Sequence, residues 1–205
     1  MLKEAFVELL SKHTDNNHLT NDLWLEIELH YSSKERYYHT MQHLDNLLVQ
    51  LTEIKSEIKC WETILFALYY HDIIYDPQNS DNEEKSAELA GKRMRQIAVP
   101  LTTITLCAKL ILDTKSHLFS TDSDTNYFTD ADLSILGQNN ETYALYASNV
   151  RREYSMFPDS VYNPGRKSVL KHFLSMDRIF KTDFFYNKFE AQARKNLTNE
   201  LNSAN

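Results

Sequence analysis

The sequence is poor in the residues that interrupt helices and in the residues that form covalent cross-links. Its 205 residues include three glycines, four prolines and two cysteines. A many-stranded sandwich or barrel needs frequent turn residues, and this chain has few of them. Cys60 and Cys107 each stand alone in an apolar pattern, which argues against a disulfide framework and against a cysteine zinc site.

Long apolar runs are also missing. No stretch of about 18 apolar residues occurs, so the sequence predicts that nothing spans a membrane. The N-terminal stretch MLKEAFVELLSKH carries Glu4 and Glu8 among its apolar residues, and it therefore predicts an amphipathic helix and not a signal peptide. Together with the cysteine usage, this predicts a cytoplasmic protein.

The net charge of −7 is unevenly distributed along the chain. Residues 1–145 carry 12 basic against 23 acidic side chains, and residues 146–205 carry 10 against 6. An acidic chain argues against general nucleic-acid binding. The basic C-terminal quarter could still offer local sites for a phosphate group.

Most of the chain places its apolar residues at helical spacing. The stretch CWETILFALYYHD is apolar nearly all round, which predicts a buried helix. We expect a polar loop over residues 116–127, a short helix closed by Gly137, and a loop with Pro158 and Pro164 before a helix over residues 163–180. No repeat or linker is evident, so the sequence predicts a single all-α domain, a helical bundle over residues 1–205.

Four polar residues in two stretches could share one site. His39 and His43 are four apart, a spacing that puts two residues on one face of a helix. His71 and Asp72 close the most apolar helix, where polar groups need partners. Imidazole nitrogen and carboxylate oxygen are usual ligands of divalent metals. A lone histidine is more often a surface or hydrogen-bonded residue, but this order, followed by an acidic DADLS, is a specific pattern.

This order of motifs on helices resembles the HD-domain metal-dependent phosphohydrolases. The segment YHTMQHLDNLL is also similar to a histidine-containing segment of the cyclic-nucleotide phosphodiesterases, which share the same core. From Arg36 to about Leu201 the chain looks closer still to a bacterial group of predicted HD phosphohydrolases. Three residues after Asp72, where the cyclic-nucleotide enzymes have another histidine, stands Tyr75, which argues against cyclic-nucleotide specificity.

The resemblance implies a role for each matching residue. His43, His71, Asp72 and Asp132 would bind one or two divalent ions, with Asp72 able to bridge them, and His39 would be the general acid. The ion could be manganese, magnesium, zinc, iron or nickel. Asp130, two residues before Asp132, would point to another side of its helix.

Further residues could join such a site or remain ordinary surface and capping groups. Candidates for a second metal or a phosphate are Asp76, Glu83, Lys115 and His117. Candidates for phosphate binding are Arg36, Arg151 and Arg166, because the planar guanidinium suits phosphate oxygens.

The sequence therefore predicts a metal-dependent phosphohydrolase acting on a nucleotide or a similar small phosphate ester, with a homo-oligomer left open. Two alternatives stand beside it. One is a di-iron oxygenase on the same fold, which would need more than four ligands. Whether Glu83 and His117 bind metal would therefore distinguish it from a phosphohydrolase. The other is a non-catalytic metal-binding or nucleotide-binding module.

Overall fold

The computed structural model describes residues 2–203, and within that range the secondary structure is helical, with no strand. The prediction of an all-α protein is confirmed. The α-helices are α1 (Leu2–Ser11), α2 (Asn17–Tyr31), α3 (Met41–Glu53), α4 (Trp61–Tyr70), α5 (Asn82–Gln96), α6 (Leu101–Asp113), α7 (Ser123–Asp132), α8 (Asn140–Glu153), α9 (Asp159–Ser175) and α10 (Asp183–Ser203). The described residues also form two 3₁₀ helices, Lys55–Glu57 and Leu133–Gly137.

The contacts among residues group the chain into two compact units, one up to Thr129 and one from Asp130 onward. The single domain over residues 1–205 stays a prediction. None of the helices in the described range is both long enough and apolar enough to cross a bilayer.

Helix α4 is the centre of the first unit. Every residue from Thr63 to Tyr70 is buried, and the helix packs against α1, α3, α5 and α6. Each large apolar side chain that leaves water here contributes about 1.5–3 kcal/mol. The apolar pattern around the whole circumference correctly predicted this burial.

In the second unit, α10 packs along the 3₁₀ helix Leu133–Gly137 and along α9. The helix predicted to end at Gly137 is in two parts, because α7 stops at Asp132 and the 3₁₀ helix follows. Gly137 is required for close packing, since a Cβ there would lie 2.8 Å from the carbonyl oxygen of Phe189. Its φ is not positive, so it does not act as a left-handed helix cap.

Two predicted boundaries are wrong. Helix α7 begins at Ser123, inside the predicted loop. Helix α9 begins at Asp159, includes Pro164 and ends at Ser175. Beyond the end of α9 the amides of Ile179 and Phe180 donate to the Glu190 carboxylate, at 3.1–3.2 Å, so they have acceptors outside a helix.

Candidate metal centre

His43 and His71 come from two helices that pack on each other in the first unit. His43 lies in the first turn of α3, and His71 is the residue that follows the last turn of α4. Both are buried. The sequence folds this way because the apolar face of α3, with Leu44, Leu47 and Leu51, is buried in the same core as α4.

The ring nitrogens of these histidines face each other. His43 Nε2 is 3.0 Å from His71 Nε2, and both contribute to a group of donor atoms that could hold a metal ion. Asp72 Oδ2 lies 3.2 Å from His71 Nε2 and 3.7 Å from His43 Nε2. The structure therefore brings together three of the four predicted ligands within the first unit, as a His-His-Asp cluster.

The orientation of the His71 ring is fixed from behind. Its Nδ1 lies 3.0 Å from the carbonyl oxygen of Leu68. A carbonyl oxygen only accepts, so Nδ1 donates to it, and in the neutral ring Nε2 is then the nitrogen whose lone pair faces the cluster. This is the arrangement that metal-binding histidines adopt, in which the distal ring nitrogen donates to a backbone carbonyl.

His39 lies outside helix α3, contrary to the predicted shared helical face. The helix begins at Met41, and Thr40 before it has extended backbone angles (φ −116°, ψ 178°). The His39 ring still reaches the cluster, with its centroid 5.9 Å from that of His43 and its Nε2 3.9 Å from Asp72 Oδ2. It packs against the rings of Tyr38 and Tyr75, at 4.9 Å and 4.1 Å between centroids.

Arg36 is buried against the backbone of the cluster. Its guanidinium donates to the carbonyl oxygens of His39 (3.2 Å), Asp72 (2.7 Å) and Ile73 (2.8 Å). The predicted contact with a phosphate is untested. These three bonds show that the guanidinium already has a structural use.

Asp132 is the last residue of α7 and is half-buried. Asp130, two residues earlier, is buried in the second unit and has other partners. Its carboxylate accepts from the amides of Lys181 (2.9 Å) and Thr182 (2.7 Å), and the Lys181 ammonium is 3.3 Å away. Burial raises the pKa of Asp130, although Lys181 opposes that shift.

The candidates for a second metal have protein contacts of their own. Lys115 Nζ lies 2.6 Å from Glu84 and 3.6 Å from Glu83. The Asp76 carboxylate accepts from the Gln78 amide (2.9 Å) and from the Asn79 side chain (2.6 Å), as in an ordinary turn. His117 is half-buried and has a positive φ of 53°.

Two basic candidates in the second unit also form ion pairs. Arg166 donates to Glu200 through Nε (2.7 Å) and a terminal nitrogen (2.9 Å). Arg151 donates to Asp159 at 2.7 Å and to two backbone carbonyls. Their binding of phosphate stays a prediction.

Sequence reasoning missed the aromatic residues around the cluster. Tyr38 packs against the rings of His39 and His43, and Phe128 packs edge-on against His71 at 5.8 Å. The only signal for Tyr38 was its position directly before His39. Phe128 has no signal in the local sequence, because its contact depends on how α7 packs.

Comparisons with protein-family models, with curated proteins and with solved structures found no match to this chain. The resemblance to the HD phosphohydrolases therefore rests on the motifs themselves.

Proposed function

We propose that this protein is a metal-dependent phosphohydrolase and that His43, His71, Asp72 and Asp132 hold its divalent ion or ions. The observation that carries the proposal is the pair of buried Nε2 atoms 3.0 Å apart, with the His71 ring held by its Nδ1 against the carbonyl oxygen of Leu68. A nucleotide or a similar small phosphate ester is the proposed substrate class, on the strength of the motifs.

The donor atoms fit a metal ion in spacing and in chemical type. Bonds of about 2.0–2.1 Å place neighbouring ligand atoms about 2.8–3.0 Å apart around an octahedral ion and about 3.3–3.4 Å apart around a tetrahedral one. The distances of 3.0 Å between the imidazoles and 3.2 Å from His71 to Asp72 lie between these limits, and the 3.7 Å from His43 to Asp72 is longer. Mixed imidazole and carboxylate donors suit manganese, zinc, iron or nickel, and carboxylate-rich sites suit magnesium.

Asp132 is proposed as the fourth ligand because of its motif, since the acidic stretch DADLS follows the two histidine-containing stretches in the order that the resemblance implies. Asp130, with its carboxylate bound to Lys181 and Thr182, is not a ligand in this proposal.

A divalent ion at this cluster would polarise a phosphoryl oxygen and lower the pKa of a bound water. His39 would donate a proton to the leaving oxygen of the ester. Its ring lies beside Asp72 and between two tyrosines, where it can face a substrate without being needed as a ligand.

The test is metal analysis of protein purified without chelator, followed by a screen of phosphate esters with added manganese. We expect a bound divalent ion and hydrolysis in the wild type, and loss of both in His43→Ala and Asp72→Ala. His18→Ala is the matched control, because the His18 side chain is 87% exposed. Full metal content and full activity in His43→Ala would refute the site, and bound metal without hydrolysis in the wild type would indicate a non-catalytic module.

A further inference from the structure

Arg36 connects the two chain segments that carry His39 and Asp72. One terminal nitrogen of its guanidinium donates to the carbonyl oxygens of both His39 and Asp72, and the other donates to Ile73. One side chain thus holds the stretch before α3 against the turn after α4, across more than thirty residues of sequence.

The surroundings of Arg36 keep it in this position. The residue is 8% exposed, and its guanidinium carbon lies 4.8 Å from the ring centre of Tyr31 and 5.6 Å from that of Tyr75. The same two tyrosines contact the site residues, since the Tyr31 hydroxyl accepts from the Asp72 amide at 3.3 Å and the Tyr75 ring packs on His39. A cation over aromatic rings, at the carboxyl end of a helix, is electrostatically favourable.

We infer that Arg36 is a positioning residue, which sets the place of His39 relative to Asp72 and does not bind the phosphate of the substrate. The kinetic test of this inference rests on the proposed function, because it measures metal binding and ester hydrolysis. Its structural basis is the fixed fork of the guanidinium, which can bond several carbonyls at once, whereas an ammonium on a flexible stem cannot reproduce that geometry.

The expected effect is on metal binding and on turnover. Loss of a residue that orients metal ligands typically lowers metal affinity or activity about 10–100-fold. We expect Arg36→Ala to show such a fall in manganese affinity by calorimetry and in kcat at saturating manganese. We expect the KM and the inhibition constant of inorganic phosphate to change by less than about twofold, because uniform binding of the phosphate is retained.

Chemical rescue separates positioning from a general loss of stability. Guanidinium chloride at low millimolar concentration should restore part of the activity of Arg36→Ala, because the free ion has the same planar donors. Methylammonium chloride should not restore it. Arg36→Lys serves as a second variant if Arg36→Ala does not fold, and it should share the low kcat. Arg93→Ala is the matched control, since Arg93 is a part-buried arginine of the same unit whose fork binds Glu26.

A third measurement does not depend on metal or catalysis. Amide hydrogen exchange should become faster in residues 37–43 and in residues 71–75 of Arg36→Ala, and in neither segment of Arg93→Ala. If the wild type neither binds metal nor hydrolyses esters but this exchange pattern appears, the proposed function fails and the positioning role stands. If phosphate affinity falls with kcat and metal affinity unchanged, or if exchange in the two segments is unchanged, the inference is wrong.

Discussion

At the scale of single residues, His39 precedes helix α3, so its position depends on contacts of its ring and of its carbonyl oxygen and not on helical hydrogen bonds. Tyr38 and Tyr75 contact its ring, and Arg36 binds its carbonyl oxygen. A histidine held in this way can move less than one on a free loop, while its Nε2 remains 3.9 Å from the Asp72 carboxylate.

His39→Ala should therefore separate proton donation from metal binding. General-acid assistance typically contributes about 10²–10⁴ in rate, so we expect kcat to fall by about that factor on alkyl or nucleotide esters. The fall should be much smaller on nitrophenyl esters, because their leaving group, nitrophenolate, is already a stable anion. Metal content, measured by elemental analysis, should stay close to that of the wild type. An equal fall on both substrate classes would show that His39 is not the acid, and a loss of metal would make it a ligand.

The sequence could predict which residues of the cluster belong together, but not how they meet. The motif order identified His43, His71 and Asp72, and the position of His71 and Asp72 at the end of a buried helix followed from the apolar pattern. The 3.0 Å approach of the two imidazoles depends on the packing of α3 on α4, and the carbonyl bonds of Arg36 depend on the same packing. Neither has a local sequence signal.

At the scale of elements, helix α7 shows why a polar stretch can be buried. Asp124, Thr125 and Asn126 looked like loop residues, yet all three are buried. Asp124 accepts from the amides of Lys59 (3.0 Å) and Cys60 (2.7 Å), directly before α4, and Asn126 binds the backbone of Ser120. The buried residues are polar, and their partners are distant in sequence or lie in irregular backbone. The sequence therefore had no apolar periodicity that would predict a helix here.

Asp124→Ala should destabilise the protein by about 3 kcal/mol. The change leaves two backbone amides directly before α4 without their charged acceptor. Hydrogen bonds to charged groups contribute about 1.5–3 kcal/mol each, and the expected loss takes the lower value for both. The change also removes a negative charge from a helix N-terminus, where it is favourable. Urea denaturation would measure the change, with exposed Asp15→Ala as the control. A loss below about 0.5 kcal/mol would show that the carboxylate is not needed there.

At the scale of the whole molecule, the scarcity of glycine and proline and the helical spacing of apolar residues were sufficient to predict an all-α protein. They were not sufficient to place the ends of α7 and α9, where polar contacts decide. In the second unit one such contact joins α8, α9 and α10: Glu200 binds Arg166, and the Tyr143 hydroxyl donates to the same carboxylate.

Glu200 should make stability depend on pH. Burial alone would raise the pKa of Glu200, but the hydrogen bonds and charge of Arg166, with the Tyr143 hydroxyl, lower it below its ordinary value of 4.5. A lowered pKa in the folded state gives stability that is present above pH 4.5 and is lost as the pH falls through the folded pKa.

Glu200→Gln should therefore lower the unfolding free energy by about 1.5–3 kcal/mol at pH 7, because Arg166 and the Tyr143 hydroxyl lose a half-buried, charged hydrogen-bond partner. The difference from the wild type should narrow as the pH falls below 4.5, because the wild type then loses this contribution and the variant has none to lose. Denaturant titrations at several pH values would measure it, with exposed Glu141→Gln as the control. A difference independent of pH would contradict the assignment.

The burial of the cluster also implies an order in which a solute from the solvent would reach its residues. The exposed fraction of the side chains is 20% at Asp72 and 18% at His39, but 4% at His43 and 0% at His71. Any solute arriving from the solvent meets the Asp72 carboxylate and the His39 ring first and reaches the two inner imidazoles last. His71 directly follows the buried helix α4. We therefore expect the rate at which a bound ligand exchanges with the solvent to depend first on the outer pair, Asp72 and His39.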